Sequence, residues 1–474
     1  MDHTRSHNSA ATPGAAGSRA GAHAADARAE DARAAGGGAA GGGSSQIGDV
    51  PVVADPEAGS AGLVKARHVT VARPPGTLAL EGGQSLGPIT VAYETYGTLN
   101  ERRDNAILVS HALSGDAHVA GRHKPDDKRL GWWDMLIGPG KALDTERYFV
   151  ICSNALGGCN GTTGPSSIDS ATGERFGTDF PIITIADMVN VQAMLLDKLG
   201  IPKLLATIGG SMGGMKALQF AVAHPERSHA VIAIATAAQQ PTKAIAFNEA
   251  GRQAIMADPE WRDGAYYGHK APRRGLSVAS MIGHITYLSD AAMREKFGRR
   301  LQDLHDYSFT FSADFEVESY LRHQGLAFTE RFDANSYLYI TRAMDYFDLA
   351  RGKASLAEAL RPAQARFLVM SFSSDGLHPP YQLKQIVSAL RATRKHVSYY
   401  EVQSDFGHDS FLLERFKMEG VISAFLASSA ATFTPLAAAG AGGVPSAPAA
   451  TSGDAATGDA ATGDAAAGDT ESGD

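Results

Sequence analysis

Hydrophobic residues in the middle of the chain form short continuous runs that alternate with stretches of helical periodicity. Ala106–Ser110 and Leu204–Ile208 are almost entirely apolar, which is typical of parallel strands covered on both faces of a sheet. Asp187–Leu199 carries apolar residues at helical spacing and is closed by Gly200. Further strands are predicted at 148–152, 230–235, 366–370 and 396–401, and further helices at 215–224, 381–392 and 410–425. This alternation predicts an α/β protein with a doubly wound, mainly parallel sheet.

Two stretches depart from this alternation. Ile89–Tyr96 alternates apolar and polar residues, as an antiparallel strand does. From about residue 239 to 347, amphipathic helices that mix charged and aromatic residues replace the strand–helix pattern. We predict that this segment, inserted after the strand that follows the 215–224 helix, is a helical cap. It would cover the carboxyl edge of the sheet, where sheets of this type bind ligands.

The two ends of the chain have compositions that cannot support a folded core. Residues 1–65 are rich in Ala, Gly and Ser with almost no aromatic residues, and residues 436–474 contain imperfect Ala-Thr-Gly-Asp repeats that make the tail acidic. Such segments bury too little apolar surface to offset the loss of chain entropy on folding. We therefore predict one folded domain at 66–435 with a disordered extension at each end.

Charge and cysteine content narrow the class of protein. Much of the acid behind the net charge of −8 lies in the tail, and no basic patch suggests nucleic-acid binding. The only cysteines, Cys152 and Cys159, exclude a disulfide framework, fit a reducing cytosol and are assigned to packing. The residues after Met1 lack the apolar core of a signal peptide, and no apolar stretch is long enough to span a bilayer. We expect a soluble, cytoplasmic protein without membrane association.

The candidate nucleophile is Ser211, which lies between the predicted strand at 204–208 and the predicted helix at 215–224. Together with Gly209 and Gly213 it makes the Gly-x-Ser-x-Gly pattern of a nucleophile elbow. The serine of such an elbow has a strained backbone, and its neighbours are glycines so that strand and helix can pass without a side-chain clash. The pattern alone arises easily by chance in a glycine-rich chain, but its strand–helix context indicates a catalytic serine.

A serine in an elbow needs a general base and an orienting carboxylate, in the chain order Ser, acid, His. Asp375 follows the predicted strand at 366–370, and His408 follows the next strand, so both lie at carboxyl strand ends beside Ser211. We predict that His408 accepts the Ser211 proton and that Asp375 orients the imidazole. Asp405 is an alternative acid and His378 an alternative base, although each is close in sequence to the residue it would have to contact.

The oxyanion of an acyl-transfer reaction needs two backbone N–H donors. One is predicted to be the amide of Met212, directly after the nucleophile and at a helix N-terminus, where the helix dipole favours negative charge. The other is expected from the loop after the Ala106–Ser110 strand, where Leu113 has the matching position. Loss of one such donor typically costs about 10²–10³ in rate.

With these residues in place, the folded region at about 67–430 resembles the homoserine O-acyltransferase family of the α/β-hydrolase fold. The stretches that carry the resemblance are Ser110–Gly115, Trp132–Asp134, Asn154–Ser166, Gly209–Gly214, Ser374–Asp375 and Gly407–Asp409. The resemblance implies an enzyme that makes an O-acyl-L-homoserine from L-homoserine and an acyl-CoA, an early step of methionine synthesis. It also implies a homodimer that needs no metal and no permanently bound cofactor.

The resemblance further implies a two-step mechanism through an acyl-serine at Ser211, with homoserine rather than water as the second nucleophile. Transfer instead of hydrolysis requires the cap to exclude water from the acyl-enzyme. In the family, the Asp that follows the catalytic His holds the substrate amine, and that residue here is Asp409. An Asp before Ser410-Phe-Leu-Leu413 is also a good helix N-cap, which is the structural alternative for this residue.

Two positions bear on how the substrates are held. Many relatives have an Arg for the substrate carboxylate at the cap position that is Ser280 here, so the bidentate clamp is lost and that role is not transferred. Relatives that use succinyl-CoA often have an Arg two residues after the triad Asp. That residue is Leu377 here, which favours acetyl-CoA over succinyl-CoA as the acyl donor.

Two other functions remain open on the sequence alone. A serine esterase or hydrolase of the same fold uses the same triad, because water and homoserine attack the same intermediate. A catalytically inactive binding protein of this fold is the alternative outside the enzymes, since the change at Ser280 would be compatible with lost activity.

Overall fold

A computed structural model describes residues 59–434, and these belong to one compact unit of the chain. The predicted disordered tail at 436–474, and the predicted extension as far as residue 58, lie outside the described residues. The remaining part of that extension is in contact with the protein body. Val64 is buried, its N–H donates to the carbonyl of Arg122 (2.8 Å), and the N–H of Arg122 donates to the carbonyl of Gly62 (3.0 Å). Residues shortly before the predicted domain boundary at residue 66 are therefore packed against the folded domain.

Within residues 59–434, eight strands form one sheet in the order β1-β4-β6-β5-β7-β8-β9-β10, and β2 and β3 form a separate two-stranded ribbon. The β1–β4 and β4–β6 pairs are antiparallel, and every other neighbouring pair in the large sheet is parallel. The predicted mainly parallel sheet is thus confirmed. The strands are β1 (Arg67–Val71), β2 (Leu78–Ala79), β3 (Ser85–Leu86), β4 (Ile89–Tyr96), β5 (Ala106–Ser110), β6 (Phe149–Ser153), β7 (Leu204–Gly210), β8 (Ser228–Ile234), β9 (Arg366–Phe372) and β10 (Val397–Val402).

Helices cover both faces of this sheet, and a helical segment separates β8 from β9. The helices are α1 (Ile185–Lys198), α2 (Met212–Ala223), α3 (Thr242–Met256), α4 (Arg273–Tyr287), α5 (Asp290–Lys296), α6 (Glu316–Thr329), α7 (Ala334–Asp345), α8 (Leu356–Leu360), α9 (Pro380–Ala392), α10 (Ser410–Leu413) and α11 (Arg415–Thr432). Helices α3 to α8 lie between β8 and β9, at the place in the chain where the cap was predicted.

Strand β5 shows how the apolar runs produce a two-sided core. Its residues are buried throughout, and alternate side chains point to opposite faces of the sheet. Ala106 and Leu108 join the core that includes α1, α2 and α9, whereas Ile107 and Val109 join the core that includes α11. A continuous apolar run is therefore what a strand buried between two helical layers requires.

The predicted single helix at 410–425 is interrupted at Glu414, which separates α10 from α11 (φ −85°, ψ 53°). The Trp133 indole N–H donates to the carbonyl of Phe411 (2.9 Å). In a continuous helix that carbonyl would accept the N–H of Arg415. A contact from a distant loop therefore takes the place of one helical hydrogen bond, and this contact has no signal in the local sequence.

Candidate active site

Ser211 lies in the tight turn between β7 and α2, and its backbone is in the left-handed region (φ 57°, ψ −123°), where side chains other than glycine are strained. A Cβ added to Gly209 would lie 2.4 Å from the carbonyl carbon of Gly213. The two glycines of the Gly-x-Ser-x-Gly pattern are therefore in direct contact. The strand and the helix cross so closely here that there is no room for a side chain at Gly209. The turn holds the Ser211 hydroxyl at the carboxyl end of β7.

The structure brings the three predicted catalytic side chains together. The Ser211 Oγ lies 2.9 Å from His408 Nε2, and His408 Nδ1 lies 2.8 Å from Asp375 Oδ2. With the Nδ1–H donating to Asp375, the Nε2 lone pair is available to accept the Ser211 hydroxyl proton. All three residues are buried, which keeps their hydrogen bonds out of competition with bulk water. The arrangement has the geometry of a nucleophile, a base and an orienting acid.

The charges of this pair reinforce each other. Burial by itself would raise the pKa of Asp375, but the charge of His408 and the hydrogen bond from it lower that pKa below the usual range. The other carboxylate oxygen of Asp375 accepts the backbone N–H groups of Leu377 (2.9 Å) and His378 (2.8 Å). Burial would lower the pKa of His408, but the Asp375 charge and hydrogen bond outweigh burial and raise it. The site therefore stabilises an imidazolium beside a fixed carboxylate.

Neither alternative residue has this geometry. Within the described chain no hydrogen bond joins Asp405 to His408; Asp405 is exposed, and its backbone carbonyl accepts the Ser289 hydroxyl. His378 is fully buried, and its ring centroid lies 5.2 Å from that of His408. Burial, followed by the charge of His408, lowers the pKa of His378 to about 4, so this ring is neutral near pH 7.

The two predicted oxyanion donors are the backbone amides of Leu113 and Met212. Among the described residues, neither the Leu113 N–H nor the Met212 N–H has a protein acceptor, and Met212 is the first residue of α2. The loop after β5 lies directly against the start of this helix, because a Cβ added to Gly213 would be 2.0 Å from the carbonyl oxygen of Ser110. The carbonyl of Ser114, next to Leu113, accepts a hydrogen bond from Arg331 (2.8 Å). The loop that carries Leu113 is thus held from both sides.

Asp409 follows His408 directly and is half-buried. Its side chain makes no capping hydrogen bond to α10, so the helix-cap alternative does not describe its contacts. Its negative charge contributes to the raised pKa of His408, after the contributions of Asp375. Asp409 therefore places a carboxylate within electrostatic reach of the imidazole that also contacts Ser211.

A small cavity lies where the helical segment meets the loop after β5. Its walls combine two loop residues with side chains of α4, α6 and α7: Leu113, Ser114, Ala279, Ser280, Tyr287, Phe328 and Tyr337. Tyr287 also approaches the triad, since its ring centroid lies 6.1 Å from that of His408. Leu377 is half-buried beside Asp375 and is not part of this wall. The sequence does not mark the three aromatic residues of this wall, Tyr287, Phe328 and Tyr337, as site residues. Their helical spacing indicates only that they face a core.

The two cysteines are protonated at neutral pH. Burial raises the pKa of Cys152 well above its ordinary value, and it raises the pKa of Cys159 to about 11. Both thiols are free. Because the thiolate is the reactive form of cysteine, neither side chain has the electrostatic environment of a nucleophile.

Comparison with known proteins identifies the scaffold. Residues 105–415 match the α/β-hydrolase fold family. Over 367 residues, 77% of this chain and 74% of the relative, the chain is 58% identical to the homoserine O-acetyltransferase of Methanohalobium evestigatum. The chain belongs to the homoserine O-acetyltransferase family. This finding confirms the resemblance drawn from the sequence motifs and the predicted α/β-hydrolase fold.

Solved structures extend the homoserine O-acetyltransferase comparison to three dimensions. The enzyme of that name from Bacillus anthracis is 33% identical, with a TM-score of 0.72 over 77% of this chain and 98% of its own. Esterase E22 is 31% identical, with a TM-score of 0.71 over 77% of this chain and 100% of its own. A protein named as an esterase thus has the same scaffold as one named as a homoserine O-acetyltransferase. The residues around the triad, rather than the fold, have to separate the two reactions.

Proposed function

We propose that the protein transfers an acetyl group from acetyl-CoA to the hydroxyl of L-homoserine through an acyl-serine intermediate, as its family name implies. The observation that carries this proposal is the hydrogen-bonded series of Ser211, His408 and Asp375 in a chain of this family. Asp409, adjacent to the base, is the feature that favours homoserine over water as the acceptor.

In the first step, the Ser211 oxygen attacks the thioester carbonyl while its proton moves to His408 Nε2. The carbonyl oxygen becomes an oxyanion, and we propose that it accepts hydrogen bonds from the Leu113 and Met212 amides. Collapse of the tetrahedral intermediate breaks the C–S bond, and the imidazolium returns the proton to the leaving thiolate. Asp375 stabilises the imidazolium during this exchange, in agreement with the raised pKa of His408.

In the second step, His408 removes the proton from the homoserine hydroxyl, and the resulting oxygen attacks the acyl-serine. A second tetrahedral intermediate forms at the same carbon, and the proton on His408 returns to Ser211 Oγ as the ester is released. Atoms and protons balance, and the resting triad is restored. Hydrolysis differs only in that water replaces homoserine, so acceptor binding decides the outcome.

We propose that Asp409 holds the substrate ammonium group. Its carboxylate is half-buried and follows the base directly. A carboxylate that contacts an ammonium ion in a water-poor site gains a charge-assisted hydrogen bond that water cannot offer. Binding of homoserine at this position would direct its hydroxyl toward His408 and exclude water from the acyl-enzyme.

The substrate carboxylate needs a cation, and the cavity wall is neutral at Ser280. We propose that Arg331 supplies this charge. Its guanidinium donates to the Ser114 carbonyl and lies over the Phe328 ring, 5.0 Å from the centroid. Both contacts are with residues of the cavity wall. An arginine held in this way brings a positive charge to the rim of the site without lining it.

Acetyl-CoA remains the proposed donor over succinyl-CoA. Leu377 offers no cation for a second carboxylate, and the relatives from Methanohalobium evestigatum and Bacillus anthracis are named as acetyltransferases. Succinyl transfer and ester hydrolysis are the competing activities of this scaffold.

A matrix of donors and acceptors tests the proposal. The full chain is incubated with acetyl-CoA or succinyl-CoA, each with L-homoserine, L-serine or no acceptor, and free thiol and O-acyl product are measured. We expect rapid thiol release only with acetyl-CoA and L-homoserine. Thiol release that is independent of homoserine would contradict transfer and indicate a hydrolase. Ser211→Ala should reduce the rate by at least about 10³, and unchanged function in that variant would indicate a binding protein.

We also propose that the protein is a cytoplasmic homodimer. Free Cys152 and Cys159 fit a reducing compartment. Within the described residues no helix has the length and apolarity needed to cross a membrane. Val278 and Ile285 on α4 and Leu326 on α6 are exposed apolar side chains on two packed helices, a surface suited to a second copy of the chain. Light scattering should give the dimer mass, reduced by Ile285→Glu but not by Phe416→Glu, an exposed position on α11.

A further inference from the structure

A buried carboxylate outside the triad forms hydrogen bonds with two imidazole rings. Glu94, on β4, is 1% exposed, and its Oε2 lies 3.0 Å from Nδ1 of His118. Its Oε1 lies 2.7 Å from Nε2 of His123. Both histidines belong to the loop that follows β5, so the cluster connects a strand to the loop that carries Leu113. The mechanism proposed above uses none of these three side chains.

We propose that Glu94, His118 and His123 form a binding site for a divalent transition-metal ion, with Zn²⁺ as the best match. One carboxylate and two imidazoles are a ligand set that zinc commonly takes in proteins, with a water molecule in the fourth position. One ligand atom from each of the three residues lies within 4.8 Å of the other two. The set therefore matches zinc in chemistry and in the closeness of its donor atoms.

The spacing needs only a small adjustment. Zinc–nitrogen and zinc–oxygen bonds of about 2.0–2.2 Å place tetrahedral ligand atoms roughly 3.4 Å apart. The present separations of 3.0 Å and 2.7 Å are those of hydrogen bonds, which an ion would replace as the imidazoles lose their shared protons. The His123 side chain is 46% exposed and can retreat by the required distance of about 0.7 Å.

The surroundings supply the supporting contacts that metal ligands usually have. Tyr96 donates its hydroxyl to Glu94 Oε2 (2.6 Å), and the hydroxyl oxygen of Tyr96 accepts the backbone N–H of Val119 (3.0 Å). The backbone of Gly121 also lies beside the His118 ring. Such contacts orient carboxylate and imidazole ligands in known metal sites. Asp116 adds negative charge, since it interacts electrostatically with both Glu94 and His118.

The site is also accessible to an ion. The carboxylate is at the buried end, the His118 side chain is 16% exposed, and the His123 side chain is at the surface. An ion could therefore enter from solvent and keep a bound water on its outer side. The expected role is structural. The ion would join β4 to the loop after β5, in which His118 lies five residues beyond Leu113. The proposed acyl transfer requires no metal, so the two proposals can fail independently.

Zinc binding to the full chain tests the site. Protein treated with a chelator is titrated with ZnCl₂ in a calorimeter, and bound zinc is measured by elemental analysis after gel filtration. We expect about one zinc per chain and a higher melting temperature with zinc. His123→Ala, an exposed position that should fold normally, should lose both effects, whereas the exposed control His305→Ala should keep them. Co²⁺ should give the visible absorption of a tetrahedral site in wild type and not in His123→Ala.

Two outcomes would overturn the proposal. The first is the absence of stoichiometric zinc from the wild-type chain, which would leave Glu94 as a carboxylate that only accepts hydrogen bonds. The second is equal zinc binding by wild type and His123→Ala, which would place the ion elsewhere. His118→Ala provides a second variant, so that the result does not depend on one substitution.

Discussion

The imidazole of His378 packs beside that of His408 with a centroid separation of 5.2 Å, and its Nε2 is buried without a hydrogen-bond partner among the described residues. Two histidines in contact thus have opposite electrostatic environments. Asp375 raises the pKa of His408, whereas burial and the His408 charge lower the pKa of His378 to about 4. The environment of His408 favours the protonated ring, whereas the environment of His378 favours the neutral ring.

This contrast predicts a loss of stability in mild acid. The unfolded chain protonates His378 near its ordinary pKa of about 6.5, but the folded chain does so only near 4. The unfolded state therefore binds more protons in this window, and stability falls as the pH decreases from about 6.5 to 4. The total contribution is about 3 kcal/mol. Urea unfolding from pH 7.5 to 4 should show a shallower pH dependence in His378→Gln than in wild type; parallel curves would contradict the prediction.

The contact between Gly213 and Ser110 predicts that Gly213→Ala is severely damaging. The new Cβ would lie 2.0 Å from a backbone oxygen that cannot move without displacing the loop of Leu113. We expect the free energy of unfolding to fall by at least about 1–3 kcal/mol, and we expect activity to be lost. Gly420→Ala is the matched control, because nothing lies within 4 Å of its added Cβ in α11 and alanine favours a helix. Normal activity in Gly213→Ala would show that the loop position is not critical.

Asp409→Asn should separate acceptor binding from acylation. Without the carboxylate, the substrate ammonium loses a charged hydrogen bond of about 1.5–3 kcal/mol, so the KM for homoserine should rise about 10- to 150-fold. Acylation by acetyl-CoA needs no ammonium contact and should persist as slow thiol release. The acid limb of the pH profile should also move to lower pH, because Asp409 helps to raise the pKa of His408. Asp405→Asn, exposed in the same loop, is the control; an equal effect there would refute the assignment.

The neutral wall at Ser280 predicts a complementary pair of variants. Ser280→Arg should lower the KM for homoserine by restoring a cation at the cavity, and Arg331→Met should raise it. Combining the two should recover part of the loss. Arg294→Met, on exposed α5, controls for a general effect of charge. Steady-state kinetics with homoserine varied measures each change, and an unaltered KM in Arg331→Met would remove Arg331 from the substrate site.

Much of the fold follows from local pattern. The apolar run predicted as a strand at 204–208 is the core of β7, and the predicted helix after Ser211 is α2 with an earlier start. The order of Ser211, Asp375 and His408 could be proposed because parallel strands end at one edge of a sheet. Short motifs and periodicity encode these features within a few residues of where they act.

The remainder depends on contacts between distant segments. The predicted C-terminal helix is interrupted at Glu414. There the Phe411 carbonyl accepts the indole N–H of Trp133, 278 positions earlier in the chain, in place of a helical N–H. Phe328 and Tyr337 reach the cavity wall through packing of the helical segment, which the amphipathic pattern does not specify. Likewise, the Glu94 cluster combines a strand with a loop whose conformation no local pattern predicts.

The hydrogen bond from Trp133 to Phe411 has a consequence for synthesis of the chain. The nucleophile at 211 is translated long before its base at 408, and the tryptophan that anchors the segment beyond that base is translated earlier still. The elbow serine has its proton acceptor only once the C-terminal segment that carries His408 is complete and Phe411 contacts the indole. The proposed acyl transfer therefore requires a completely synthesised chain.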